Sequence, residues 1–177
     1  MTEAAKTQIR LYVVMGVAGC GKTTIGEHLA AAIGGQFLDG DAFHPASNIE
    51  KMSRGDPLTD EDRWPWLEIF GGEIAAREGV VVGGCSSLKR AYRDFITRAA
   101  GEPVLFIYLD GSRELIANRM GRREGHFMPT SLLDSQFATL EVPQDDECSI
   151  RVDIDATTDE IVADIIHQLK GNFPPTA

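Results

Sequence analysis

From residue 16 to residue 23 the chain reads Gly16-Val17-Ala18-Gly19-Cys20-Gly21-Lys22-Thr23, an uninterrupted G-x-x-x-x-G-K-[ST] run. This spacing makes an anion cradle. The glycines let successive backbone N–H groups turn to one side, and the helix expected after them adds unpaired N–H groups and the positive end of its dipole. The backbone from Gly16 through Thr24 is therefore the expected nucleotide-phosphate site. The Lys22 ammonium can reach the β- and γ-phosphates of ATP, and the Thr23 hydroxyl can ligate Mg²⁺. Cys20 occupies a position where main chain does the binding, so the simpler reading is a small filler. A thiol beside Lys22 at a helix N-terminus nonetheless tends towards the thiolate.

Two carboxylates, Asp39 and Asp41, follow on alternate residues. Asp39 is the expected second Mg²⁺ group, acting through water. Asp41 is the expected partner of an acceptor hydroxyl, taking its hydrogen bond or its proton. Phosphoryl transfer has a loose transition state, so holding that hydroxyl in line matters more than deprotonating it deeply. Farther on, Arg113, Arg119, Arg122 and Arg123 gather within one stretch, followed by Gly125. Arg119 and Arg123 are four apart and share a helical face, so they are expected to converge on one phosphate chain from a mobile lid. No guanine-reading Asn-Lys-x-Asp run occurs, and Val80-Val81-Val82 ends in Gly83-Gly84, not in the Asp of a motor ATPase. Phosphoryl transfer to a small molecule is the chemistry these residues leave.

Five short apolar segments are available to carry the groups: 10–15, 36–38, 80–82, 103–109 and 149–154. Helical spacing lies between them, in Ile25, Leu29, Ala32 and Ile33, in Leu88, Tyr92, Phe95, Ile96 and Ala99, in Leu115, Ile116 and Arg119, and in Ile161, Ile165, Ile166 and Leu169. Gly34-Gly35 closes the first helix; Thr157 and Glu160 form a capping box for the last, which Gly171 is expected to end. Strand alternating with helix predicts an α/β domain, a five-stranded parallel sheet with helices on both faces, spanning 1–177 as one unit. Two polar stretches, about 42–78 and about 119–145, resist a core reading. They are expected to cover the ligand crevice as an acceptor-side helical cover and a lid. Trp64 and Trp66 open a helix with Leu67 and Phe70 and are read as core or hinge packing. Thr59 with Asp60, Glu61 and Asp62 is a helix-entry pattern.

The chain has 177 residues, 43% of them hydrophobic, with 17 Lys and Arg against 27 Asp and Glu and a net charge of −10. An acidic surface of this kind repels nucleic acid and anionic lipid, so cations for an anionic substrate must be concentrated locally. No apolar run approaches a membrane span and no signal-peptide pattern opens the chain. Cys20, Cys85 and Cys148 have neither metal-type nor disulfide-type spacing, which fits the cytoplasm.

Longer runs around these groups narrow the reading. Asp39-Gly40-Asp41-x-x-His44-Pro45, Asn48-Ile49-Glu50-Lys51-Met52, and Gly55-x-Pro57-Leu58-x-Asp60-x-Asp62-Arg63-x-Pro65-Trp66-Leu67 resemble the gluconokinase family of P-loop small-molecule kinases. So do Cys85-Ser86-x-Leu88-Lys89-Arg90-x-Tyr92-Arg93-Asp94, Arg119-x-x-x-Arg123-x-Gly125-His126-Phe127-Met128, and Ser135-Gln136-Phe137…Leu140-Glu141-x-Pro143. The likeness spans about residues 11–170; family members usually carry Ser at the positions of Cys20 and Thr23. It implies a P-loop kinase fold and transfer of the ATP γ-phosphoryl group to D-gluconate, feeding the pentose phosphate or Entner–Doudoroff route, by a homodimer. It also implies an acceptor site drawn from Asp41, His44, Lys51, Arg54, Ser86, Lys89, Arg90 and His126, with Lys22, Asp41, Arg119 and Arg123 as the catalytic set. A kinase for another small hydroxy acid such as shikimate stays open, as does a nucleotide-binding regulatory module without turnover.

Overall fold

The computed structural model describes residues 8–121 and 130–172. Five strands, β1 (Leu11–Met15), β2 (Gln36–Asp39), β3 (Val81–Gly84), β4 (Val104–Asp110) and β5 (Ser149–Asp153), form one sheet in the order β2-β3-β1-β4-β5. Every pairing is parallel; β1 lies between β3 and β4, with Leu11 facing both Val81 and Val104. The helices are α1 (Lys22–Ile33), α2 (Ala46–Ser53), α3 (Asp60–Ala76), α4 (Arg90–Ala100), α5 (Arg113–Gly121), α6 (Thr130–Thr139) and α7 (Thr158–Asn172), with a 3₁₀ turn at Gly40–Phe43. The crossovers put a separate core on each face of the sheet, as parallel strands buried on both sides require. Val14, Leu29, Ile107, Leu109 and Ile165 belong to the core under α1 and α7. Val13, Met15, Phe70, Ile74, Ile96 and Phe106 belong to the core under α3 and α4.

The predicted sheet and its alternation with helices are observed, with local differences. Gly34 caps α1 with φ 72°, its N–H donating to Ala30 O, a conformation that suits glycine. The Thr157–Glu160 box is formed, but α7 runs through Gly171 to Asn172. The stretch 42–78 is only in part a cover. The polar first turn of α3 hides an apolar face that begins one turn later, so Trp66, Leu67, Phe70 and Ile74 are core.

β3 is the other difference. The sequence reading ends it at Val82, whereas the strand continues over Gly83 and Gly84. Both glycines lie in the sheet because neighbours take the side-chain space. A Cβ on Gly83 would stand 2.6 Å from Phe70 Cζ and one on Gly84 3.1 Å from Phe37 Cζ, while one on Gly40, across from them, would stand 2.4 Å from Gly84 O. The missing side chain of Gly40 thus lets the turn after β2 lie against the backbone of β3, with Asp39–Asp41 at the carboxyl end of the sheet.

One buried ion pair ties the segment after β3 to the loop before β5. Arg93, 2% exposed, donates to Glu147 from Nε (2.7 Å) and Nη2 (3.1 Å), while Nη1 donates to Ser87 O (2.9 Å) and Leu88 O (3.3 Å). Arg93→Ala strands the Glu147 carboxylate and frees two carbonyls, so we expect a loss of about 3–5 kcal/mol, measured by chemical denaturation.

Candidate active site

The phosphate loop leaves the carboxyl end of β1 and enters α1 at Lys22. Gly19 (φ 80°) and Gly21 (φ 99°) take left-handed conformations, which turn their amides out of the strand direction. A Cβ on Gly19 would lie 2.5 Å from Met120 Cγ, so α5 packs directly on the loop; one on Gly16 would lie 2.7 Å from Cys20 Sγ. The Cys20 side chain is buried behind the loop, as a filler would be. Lys22 Nζ donates to Gly16 O and Val17 O, at 3.0 Å each. The Gly16 N–H donates to Ser86 O (3.2 Å), and the Ala18 N–H donates to Gln136 Oε1. Ser86 therefore meets the loop through its carbonyl, and α6 reaches the loop through Gln136, a residue the sequence reading left out of the site.

β2 delivers the two aspartates, and the 3₁₀ turn separates their roles. Asp39 Oδ1 accepts the Asp41 N–H (3.0 Å) and so caps the turn, whereas the Asp41 side chain is 83% exposed. Behind Asp41 lies His44, its side chain only 5% exposed, with Nε2 3.8 Å from Asp41 Oδ1. The imidazole stacks on Trp66 at 3.9 Å between centroids, and Trp66 Nε1 donates to Gly40 O (2.8 Å). Burial holds the His44 pKa below the ordinary imidazole value; Asp41 and Asp39 oppose the shift and Arg63 adds to it. Trp66 thus packs in the core, as expected, and also orients a polar side chain. Trp64 packs on Tyr92 and Phe95.

The first turn of α3 organises the cations. Lys51 Nζ donates to Asp62 Oδ2 (2.6 Å), and the same oxygen accepts the Thr59 N–H (2.8 Å) in a capping box. The Lys51 hydrogen bond, followed by that from the Thr59 backbone, lowers the Asp62 pKa to about 2. The stability this gives is complete above the usual aspartate range and is lost as pH falls through about 2. An NMR titration of the Asp62 carboxyl carbon should show that depressed midpoint in wild type and a higher one in Lys51→Ala. Lys89 Nζ and the Tyr92 hydroxyl both donate to Asp60 Oδ1, and the Arg63 guanidinium lies over the Tyr92 ring at 5.3 Å.

Other expected acceptor residues turn elsewhere. Arg90 makes a two-pronged pair with Asp146 (3.0 and 2.8 Å), and Arg54 pairs with Glu50 and Asp56 on the surface of the cover. Arg63, near His44 and Tyr92, was not among the expected site residues; its signal was its place in the Asp60-x-Asp62-Arg63 run. In α5, Arg119 Nη2 donates to Ile154 O (2.6 Å) and Ala156 O (3.4 Å), the turn between β5 and α7. Arg123 and His126 lie outside the described residues, as do Arg122 and Gly125.

Among the described residues no group of three or more His, Cys, Asp or Glu stands ready for a metal ion. The oxygen donors Thr23 and Asp39 are both exposed at the loop's side of the sheet. That set fits Mg²⁺, which keeps several waters and binds through one or two protein oxygens plus phosphate. Also among the described residues, no helix is long and apolar enough to cross a membrane.

The shikimate kinase family matches residues 18–170. Gluconokinase of Gluconobacter oxydans (strain 621H) is 48% identical over 166 residues, covering 92% of each chain. The thermosensitive gluconokinase of Escherichia coli (strain K12) is 52% identical over 149 residues, 81% of this chain and 78% of that one. The crystal structure of a gluconokinase from Sinorhizobium meliloti 1021 superposes with a TM-score of 0.81 at 43% identity, over 95% of this chain and 99% of the other. Fold and sequence point the same way, from the phosphate loop to α7: the chain belongs to the gluconokinases, within the shikimate kinase family.

Proposed function

We propose that the protein transfers the γ-phosphoryl group of ATP to the terminal hydroxyl of D-gluconate, giving 6-phospho-D-gluconate and ADP. The observation that carries this reading is the 48% identity to the Gluconobacter gluconokinase over 92% of both chains. The site chemistry agrees with it. Of the loop amides from Gly16 to Thr24, those at Gly16, Ala18 and Cys20 have partners within the protein; the others and the Lys22 ammonium take the phosphates, and the helix α1 dipole favours their charge. Thr23, and Asp39 through water, would hold Mg²⁺, which would supply neutralisation of the phosphate charge. Asp41 accepts the hydrogen bond of the attacking hydroxyl and fixes its direction. His44, Lys89 and Arg63 offer donors to the other oxygens of a polyhydroxy carboxylate, with Ser86 beside the loop. Lys51 shapes the cover by holding Asp62. Arg119 braces the turn after β5.

The protein acts as a cytoplasmic homodimer on a small molecule, with no nucleic acid or membrane partner; the acidic surface and the family likeness support this. The match to the shikimate kinase family favours shikimate as the runner-up acceptor. An assay coupling ADP formation to NADH oxidation tests both, with gluconate, shikimate, glucose and nucleoside monophosphates supplied in turn. Gluconate-dependent ADP release is the expected result. Turnover with another acceptor alone would remove the substrate assignment, and nucleotide binding without turnover on any acceptor would leave a regulatory module.

A further inference from the structure

Asn48 is a fully polar side chain that the site chemistry above does not use, yet it is only 2% exposed. It projects from α2, and its Nδ2 makes two contacts: 2.9 Å to Asp62 O and 3.3 Å to His44 Nδ1. The carbonyl of Asp62 can only accept, so the amide atom facing it is a donor, and this fixes the orientation of the amide. The same NH₂ group then presents its second hydrogen to His44 Nδ1. A nitrogen that accepts carries no proton, so the neutral ring holds its proton on Nε2.

That Nε2–H points to the side of the ring where Asp41 Oδ1 lies 3.8 Å away. The gap is too long for a direct hydrogen bond. It suits a hydroxyl oxygen resting about 2.8 Å from both groups, accepting from Nε2–H and donating to the carboxylate. Stacking on Trp66, whose own Nε1 is fixed on Gly40 O, holds the ring plane. Asn48 supplies what stacking lacks, the identity of the protonated nitrogen. The charged groups around the ring are Asp41 and Asp39 from the β2 end and Arg63 from α3.

We propose that Asn48 is a positioning residue, which locks His44 as the neutral Nε2–H tautomer and thereby aims a hydrogen-bond donor at the hydroxyl engaged by Asp41. This rests on the acceptor-site reading given above, but its first test needs no substrate. Long-range ¹H–¹⁵N correlation spectra of the full chain should show His44 protonated on Nε2 alone in wild type. Asn48→Asp keeps the shape and replaces the donor by an acceptor, so the proton should move to Nδ1 or both nitrogens should carry one. Asn48→Ala should give a mixture of tautomers. An unchanged His44 pattern in the folded Asp variant overturns the proposal, even in an active gluconokinase.

The kinetic test is a double-mutant cycle. Asn48→Ala should lower kcat for the acceptor roughly 10-fold, as loss of a supporting hydrogen bond commonly does, with the KM for ATP unchanged. In a His44→Ala background the same change should cost nothing further, because Asn48 acts through the ring. Equal losses in both backgrounds would mean that Asn48 serves only to pack α2, and would overturn the proposal. If gluconate is not the acceptor, the spectra still decide the tautomer, so the two readings fail separately.

Discussion

Lys22→Ala is expected to reduce kcat by about 10³-fold or more while leaving the fold intact. The ammonium rests on the loop it serves, donating to Gly16 O and Val17 O. A preorganised charge in such a place costs little rearrangement when the phosphoryl group moves; removing one neutral oriented donor typically costs about 10²–10³-fold, and a full charge on the phosphates is expected to reach or exceed the upper end of that range. The side chain is half-buried and forms no ion pair with a described residue, so thermal unfolding should shift little. The coupled ADP assay, run beside a thermal melt, checks both parts. Near-normal turnover in a folded variant would remove the assignment of the phosphate loop.

Asp41→Asn is the second large effect. We expect kcat to fall on the order of 10²–10⁴-fold with ATP binding retained, because in the proposed mechanism the lost group engages the acceptor and not the nucleotide. The structure makes this substitution cleaner than its neighbour. The Asp41 side chain is 83% exposed and caps nothing, whereas Asp39 Oδ1 holds the Asp41 N–H and anchors the 3₁₀ turn. Asn at position 41 therefore keeps the turn and removes only the negative charge. Isothermal titration with a non-hydrolysable ATP analogue, beside kcat measured at saturating gluconate, separates binding from transfer. An unchanged kcat would exclude an acceptor-positioning role for Asp41.

Both predictions use residues that stand out in the sequence, because each belongs to a local pattern. The phosphate loop is read from eight consecutive residues, and its strand-before, helix-after setting from the apolar run at 11–15 and the helical spacing after Lys22. The α/β class is equally local, since alternating strand and helix periodicities suffice for it. The boundary of β3 was not legible. Two glycines in a row read as the end of the strand, and only the rings of Phe70 against Gly83 and Phe37 against Gly84, far away in the chain, explain why bare residues continue it. The polar opening of α3 likewise concealed a core helix behind a capping box.

By itself, the sequence determined the proposed nucleotide half of the site, because that half is built from backbone geometry within one contiguous segment. It also supplied the residue types for the acceptor half. The tertiary structure decided how those residues divide their work, since an ion pair depends on which acid each cation meets. Lys51 meets Asp62, Lys89 meets Asp60 and Arg90 meets Asp146, separated by 11, 29 and 56 positions. No periodicity encodes such pairings; the packing of α3 and α4 on the sheet, with α2 beside the start of α3 and the loop before β5 beside α4, creates them. The same packing buries Asn48 against His44, turning an undistinguished amide on a short helix into the group that sets where a proton sits.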